Sequence, residues 1–262
     1  MATRSSRPGR SERRCEAVRA PADGSRPGRS DPLGDMKTAL LFDLDGTLVD
    51  SDGEHLVAFQ RVFALHGIQL DRSEYARNIM GASNEMIARK YLSHLRSHEQ
   101  SATLDAKEAA YRDGLGELQP ILGALALLDY ADRRGLKRAV VTNAPRANAE
   151  KVLAALGIGQ RMPILVIGNE LQRSKPDPLP YLTALERTGA LAAHSLAFED
   201  SLSGVRAAAA AGLAVVGMTT SLDAATLIAA GATFATSNFT DPKIFELIDV
   251  RIESGAHEGI TA

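Results

Sequence analysis

The feature that most constrains this chain is a series of short, uninterrupted apolar runs: Ala39 to Phe42, Ala139 to Val141, Leu165 to Ile167, Leu196 to Phe198 and Ala214 to Val216. A strand with one wet face alternates apolar and polar residues. Runs that do not alternate suit a sheet buried on both faces, as a parallel sheet is. Helix-length segments lie between most of the runs and carry end signals. Pro145 and Gly157 bracket Arg146 to Leu156, and the stretch Gly204 to Ala211 stops at Gly212. The pattern predicts an α/β fold with a doubly wound, Rossmann-like parallel sheet.

One interval breaks the alternation. Between Phe42 and Ala139 no convincing strand occurs, while apolar residues recur at helical spacing at Leu56, Phe59, Val62 and Phe63, and again at Ile87, Tyr91 and Leu95. A structureless loop of that length is implausible. The expectation is a small all-helical domain over about residues 52–118, inserted after the first strand of a core formed by residues 37–51 and 119–250.

Residues 1–36 and 251–262 are expected to be tails. The first 35 residues hold eight Arg, no Lys and five acids, and the hexapeptide Ser-Arg-Pro-Gly-Arg-Ser occurs twice, at Ser6 to Ser11 and Ser25 to Ser30. With almost no large apolar side chains, the segment cannot offset the entropy of ordering its backbone, so it reads as disordered, and Met36 is a plausible alternative start. The formal net charge of −2 therefore divides into +3 on the tail and −5 on the body. That balance argues against nucleic acid as the main partner. No run approaches the ~20 apolar residues of a membrane span. The lone cysteine, Cys15, excludes a disulfide framework and a Cys-based zinc cluster and fits a reducing, cytoplasmic setting.

In an open parallel sheet, ligands bind beyond the carboxyl ends of the strands. At those ends stand Asp43-Leu44-Asp45-Gly46-Thr47, Thr142-Asn143, Ser174-Lys175-Pro176-Asp177-Pro178 and Glu199-Asp200-Ser201. Carboxylates gathered at one rim repel one another unless a cation joins them. An oxygen-only ligand set, with no His or Cys at useful spacing, points to Mg²⁺ and not to zinc.

These four motifs, in this order, resemble those of the haloacid dehalogenase-like phosphohydrolase superfamily over about Lys37 to Val250. The resemblance implies that Asp43 is a nucleophile forming an aspartyl-phosphate, and that Asp45 is the general acid and base, with a pKa well above that of Asp43. It implies that Thr142 and the Asn143 backbone bind phosphoryl oxygens together with Lys175. Asp43, Asp200 and the Asp45 carbonyl would hold Mg²⁺, with Glu199 as a further ligand. A carboxylate at position 45 favours phosphate ester chemistry over the dehalogenase and phosphonate-cleaving branches, which lack it.

The helical insertion lies where the helical-cap branch of the family carries its cap, a lid that excludes water and reads the substrate. Asp50 to His55 then forms the hinge and first cap turn, with Gly53 absorbing the backbone change. His55 corresponds to the hinge histidine of the β-phosphoglucomutase-like branch. Gly81-Ala82-Ser83-Asn84 corresponds to its substrate-contacting cap loop, with Asn84 standing where the mutase has an arginine. As bare residues, His55 reads equally as a helix-terminal histidine and Asn84 as a helix cap.

The reading is a Mg²⁺-dependent phosphatase acting on a small phosphorylated metabolite, such as a sugar phosphate or phosphoglycolate. The alternatives are a β-phosphoglucomutase-like phosphosugar mutase and a non-catalytic phospho-ligand binding protein. No pattern distinguishes a monomer from a dimer.

Overall fold

The computed structural model of the chain describes residues 37–80, 82 and 84–258. The expected tail at residues 1–36 lies outside the described residues, as do Gly81 and Ser83 of the expected cap loop. Each anticipated apolar run forms a strand: β1 (Ala39–Phe42), β2 (Lys137–Thr142), β3 (Ile164–Ile167), β4 (Leu196–Glu199) and β5 (Ala214–Met218). A sixth, β6 (Phe234–Thr236), was not anticipated, because three residues with one large apolar side chain leave no run to read. All neighbours pair in parallel, in the order β3-β2-β1-β4-β5-β6.

Ten α-helices occupy the described residues: α1 (Asp52–Ala64), α2 (Arg72–Asn78), α3 (Asn84–Tyr91), α4 (Ser97–Gly114), α5 (Ala124–Arg133), α6 (Arg146–Ala155), α7 (Leu179–Thr188), α8 (Leu202–Ala210), α9 (Ala224–Ala230) and α10 (Pro242–Glu258). All four residues of β1 are fully buried, and successive ones serve opposite faces of the sheet. Leu40 and Phe42 pack with Leu127 of α5, Val152 of α6 and Ile248 of α10, whereas Ala39 and Leu41 pack with Tyr181 of α7, Val205 of α8 and Leu227 of α9. Burial on both faces is why β1 carries no polar residue.

Between β1 and β2 the chain forms only helices, α1 to α4, with a hydrophobic cluster of their own around Phe59, Phe63, Leu70, Tyr75, Ile87 and Leu92. Helices α1 and α4 run along each other and form the side next to the sheet's carboxyl end. The two strands of chain that join this insertion to the sheet are stitched together. Val49 bridges Pro120, and the Ile121 amide donates to the Leu48 carbonyl at 2.9 Å.

Gly53 lies in the first turn of α1, within the Asp50 to His55 segment expected as hinge and first cap turn. One expectation is corrected. Residues 251–262 are not a tail from their start: 251–258 continue α10, held by the Arg251 guanidinium donating to the Ser195 carbonyl at 3.2 Å and by Ile252 packing on the core. No described helix is long and apolar enough to cross a membrane.

Candidate active site

The chain moves outward from β1 through β2 to β3, then returns to place β4 on the other side of β1. The crevice at that reversal, beyond the carboxyl ends of β1 and β4, is where a doubly wound sheet binds ligands. Asp43 is the first residue past β1, Glu199 ends β4, and Asp200 follows it. Lys175 enters from the loop before α7. Its buried ammonium donates to Asp43 Oδ1, Glu199 Oε1 and the Val141 carbonyl, each at 2.6 Å. Three acceptors match the three protons of an ammonium, so the lysine is fully satisfied and fixed in direction.

Glu199 is fixed as firmly. Its Oε1 also accepts from the Tyr181 hydroxyl at 2.6 Å, its Oε2 accepts from Ser201 at 3.3 Å, and no part of it reaches solvent. Gly204, in the first turn of α8, makes this possible, since a methyl group there would overlap the carboxylate. Asp200 is held by the Ser221 hydroxyl, which donates to Oδ2, and its carboxylate fits closely over Gly46. Position 46 requires glycine twice over, for its φ of +74° and because a methyl group would fall on the Asp200 carboxylate.

Charges in so small a space move their pKa values. Burial pushes Asp43 well above the ordinary carboxylate range; Lys175 offsets part of this, and Glu199 and Asp200 add to it. Burial, together with Glu199, raises Asp200 to about 7. Burial lowers the Lys175 pKa, but Asp43 and Glu199 outweigh it and keep the ammonium above its usual value. Asp43, Glu199 and Asp200 can each offer an oxygen within 4.8 Å of the others'. Buried carboxylates this close, in an all-oxygen set, fit a hard divalent cation.

Asp45 has a different environment. Its Oδ1 accepts from the Ser51 hydroxyl at 2.6 Å and the Tyr111 hydroxyl at 3.2 Å, and His55 Nε2 stands 3.6 Å away. His55 stacks flat on Tyr111, with ring centroids 3.9 Å apart, and its Nδ1 lies 2.9 Å from the ammonium of Lys107. An ammonium can only donate, so Nδ1 accepts and the ring proton sits on Nε2, facing Asp45. Burial raises the Asp45 pKa, but His55, Ser51 and Lys107 outweigh it and hold the carboxyl at about 2. In the free protein the order expected for the two aspartates is therefore reversed. Asp43 is crowded by anions, whereas Asp45 is surrounded by donors from α1 and α4.

At the end of β2, Thr142 is buried and its hydroxyl accepts from the Ala144 amide at 3.0 Å. The Asn143 side chain grips the backbone of Lys175, donating to its carbonyl and accepting from its amide, each at 3.3 Å. The Asn143 backbone carbonyl accepts from the Asn169 side-chain amide at 2.6 Å. Asn143 thus links the second motif to the third.

The sequence pattern described as haloacid dehalogenase-like hydrolase matches residues 40–218, more than half of the chain. The chain belongs to the haloacid dehalogenase-like hydrolases. Among its relatives is the validoxylamine A 7′-phosphate phosphatase of Streptomyces hygroscopicus subsp. limoneus, 33% identical over 194 residues that cover 73% of this chain and 90% of that protein. A phosphoglycolate phosphatase of Xanthomonas campestris is 30% identical, over 67% of this chain and 80% of its own. Among solved structures, CbbY from Rhodobacter sphaeroides in complex with xylulose-1,5-bisphosphate superposes with a TM-score of 0.67 at 28% identity, covering 78% of this chain and 95% of that one.

In this hydrolase the structure brings Asp43, Lys175, Glu199 and Asp200 together, with Asp45 and His55 on the α1 side and Thr142 and Asn143 beside β2. Asn84 is not among them: it starts α3 and lines an open depression between α3 and α4 that Asp43, Asp45, Glu199 and Asp200 do not border. Sequence reasoning missed Ser51, Lys107, Tyr111, Tyr181 and Ser221. Only Ser51 had a local signal, adjoining the first motif; the others reach the site through tertiary folding. Lys107 and Tyr111 share a face of α4 at i, i+4 spacing, a pattern any exposed helix also shows.

Proposed function

We propose that this hydrolase is a Mg²⁺-dependent phosphatase that removes phosphate from a small phosphorylated metabolite such as a sugar phosphate or phosphoglycolate. The observation that carries the reading is Lys175 bridging Asp43 and Glu199 next to Asp200, with a second, differently housed carboxylate, Asp45, two residues after the first. The relatives' names, both phosphatases of small phosphorylated molecules, support it.

In this reading Asp43 and Asp200 hold Mg²⁺, while Glu199, whose oxygens are taken by Lys175, Tyr181 and Ser201, serves chiefly as the anchor of Lys175. When bound, Mg²⁺ neutralises the negative charge that otherwise keeps a phosphoryl group away from a carboxylate. Asp43 attacks phosphorus as the ester P–O bond breaks, and the leaving oxygen takes its proton from Asp45. Water then attacks the aspartyl-phosphate and gives a proton back to Asp45, releasing phosphate and restoring Asp43. Lys175 keeps Asp43 aimed and stabilises charge on the transferring oxygens, with Thr142 and the Asn143 backbone as further donors. Asp45 is ionised in the free protein, so it acts as an acid only after substrate anion arrives and raises its pKa.

Helices α1 to α4 act as the cap, with residues 52–118 as the inserted domain and 37–51 and 119–250 as the core. His55 reports cap position to Asp45. At the cap-loop position where the mutase has an arginine, this chain has the neutral Asn84, which favours a phosphatase over a mutase. The single cysteine fits a cytoplasmic location.

The test is hydrolysis of p-nitrophenyl phosphate and a panel of sugar phosphates and phosphoglycolate, with Mg²⁺, by wild type and Asp43→Asn. The expected loss in Asp43→Asn is about 10³-fold or more. Turnover that survives the substitution sinks the nucleophile assignment, and sugar-phosphate interconversion without phosphate release would make the chain a mutase.

A further inference from the structure

Helices α4 and α6 share a polar cluster that the chemistry above leaves unused. Asn148, in the first turn of α6, is buried, and both of its side-chain hydrogen bonds go to α4. Its amide donates to Glu108 Oε2 at 2.6 Å, and its carbonyl oxygen accepts from Arg112 Nη1 at 2.7 Å. Glu108 and Arg112 lie one turn apart on α4 and present an acceptor and a donor that match the donor and acceptor of a carboxamide. Lys151, on the same side of α6, donates to the Arg112 carbonyl.

The same turn of α4 faces Asp45. Glu108 Oε1 accepts from the Lys107 ammonium at 3.0 Å, and Lys107 in turn reaches His55, which stands 3.6 Å from Asp45. Lys107 and His55 both belong to the insertion, whereas Tyr111 joins α4 to Asp45, so the placement of α4 that lets Asn148 engage Glu108 and Arg112 is also the one that brings Tyr111 to Asp45.

We propose that Asn148 is a positioning residue that clasps the helical insertion to α6, setting the fraction of molecules in which Lys107, His55 and Tyr111 surround Asp45. The kinetic consequence rests on the phosphatase reading; the conformational one rests on the geometry alone. Substrate binds productively to the clasped form, so the apparent affinity falls with the clasped fraction, whereas saturating substrate pulls the insertion closed and restores turnover.

The experiment compares wild type, Asn148→Asp, Asn148→Asp with Glu108→Gln, and Arg112→Gln. Each is read by KM and kcat on p-nitrophenyl phosphate, by thermal melting, and by pulsed electron resonance between spin labels at Ser101→Cys and Glu246→Cys in a Cys15→Ser background. Asn148→Asp sets a carboxylate against Glu108; it is expected to shift the label distances and raise KM about tenfold, with kcat within about twofold. Adding Glu108→Gln restores a donor and acceptor pair in reverse, and both readouts are expected to return most of the way. Wild-type distances and KM in Asn148→Asp, or no recovery in the double variant, overturn the clasp. Should Asn148→Asp fail to fold, Arg112→Gln decides: unchanged distances and KM in that variant equally overturn it. Absence of hydrolysis by the wild type would count against the phosphatase reading, while the label distances still decide the clasp.

Discussion

Lys175 is the residue whose loss the site can least absorb. It is buried between two carboxylates, and removing one member of such a set leaves uncompensated charge. Lys175→Met is expected to cost about 3–5 kcal/mol in urea denaturation at pH 7. The loss is expected to shrink in acid, where Asp43 takes up a proton. The same crowding sets a pH dependence. Asp43 and Asp200 have folded pKa values raised above their unfolded ones, so their contribution to stability is fully present below pH about 4 and is lost as pH rises, for Asp200 through about 7. A divalent cation counters that loss. The Mg²⁺-induced rise in Tm should therefore be small at pH 5 and large at pH 8 in calorimetry; a rise independent of pH would show that these carboxylates do not hold the ion. At this scale Asp43, Asp45 and Asp200 were legible because each lies within three residues of the end of an apolar run, and Lys175 because it stands in a Ser-Lys-Pro-Asp-Pro loop after the third run. Lys107 and Ser221 were not, because their partners lie 52 and 21 residues away and only folding brings them together.

Glycine at a helix start is commonly replaced by alanine with a gain of about 1 kcal/mol from propensity alone. In α8 the sign should reverse. A methyl group on Gly204 would overlap the Glu199 carboxylate, which is pinned by Lys175 and Tyr181 and has nowhere to go. Gly204→Ala is expected to destabilise by about 2 kcal/mol or more, read by chemical denaturation. Ser201→Ala, in contrast, removes the cap that accepts from the Gly204 amide and a long hydrogen bond to Glu199 but leaves the carboxylate its Lys175 and Tyr181 donors, and is expected to cost about 1 kcal/mol. The five apolar runs were readable as strands because burial on both faces forbids polar residues. β6 and the far end of α10 were not, since an edge strand of three residues and an amphipathic last helix need no continuous run.

Across the whole molecule, the sheet and the helical insertion have separate hydrophobic clusters, so their stabilities need not be equal. Amide exchange is expected to be slower in β1 and β4, buried on both faces, than in α2 and α3, which present much of their surface to water. Equal protection in both would show one cooperative unit. The insertion was foreseeable as helical from its spacing, but its contacts with Asp45 were not, because they depend on how α1 and α4 lie against each other. The stitched neck, where Leu48 and Val49 pair with Ile121 and Pro120, has a consequence for descent. Since the chain departs from the sheet and rejoins it at adjacent points, the segment between is a cassette. Recombination can exchange it for another insertion while the core contacts that hold Asp43, Glu199 and Asp200 are inherited intact; Asp45 alone, which touches His55 and Tyr111, would need new partners.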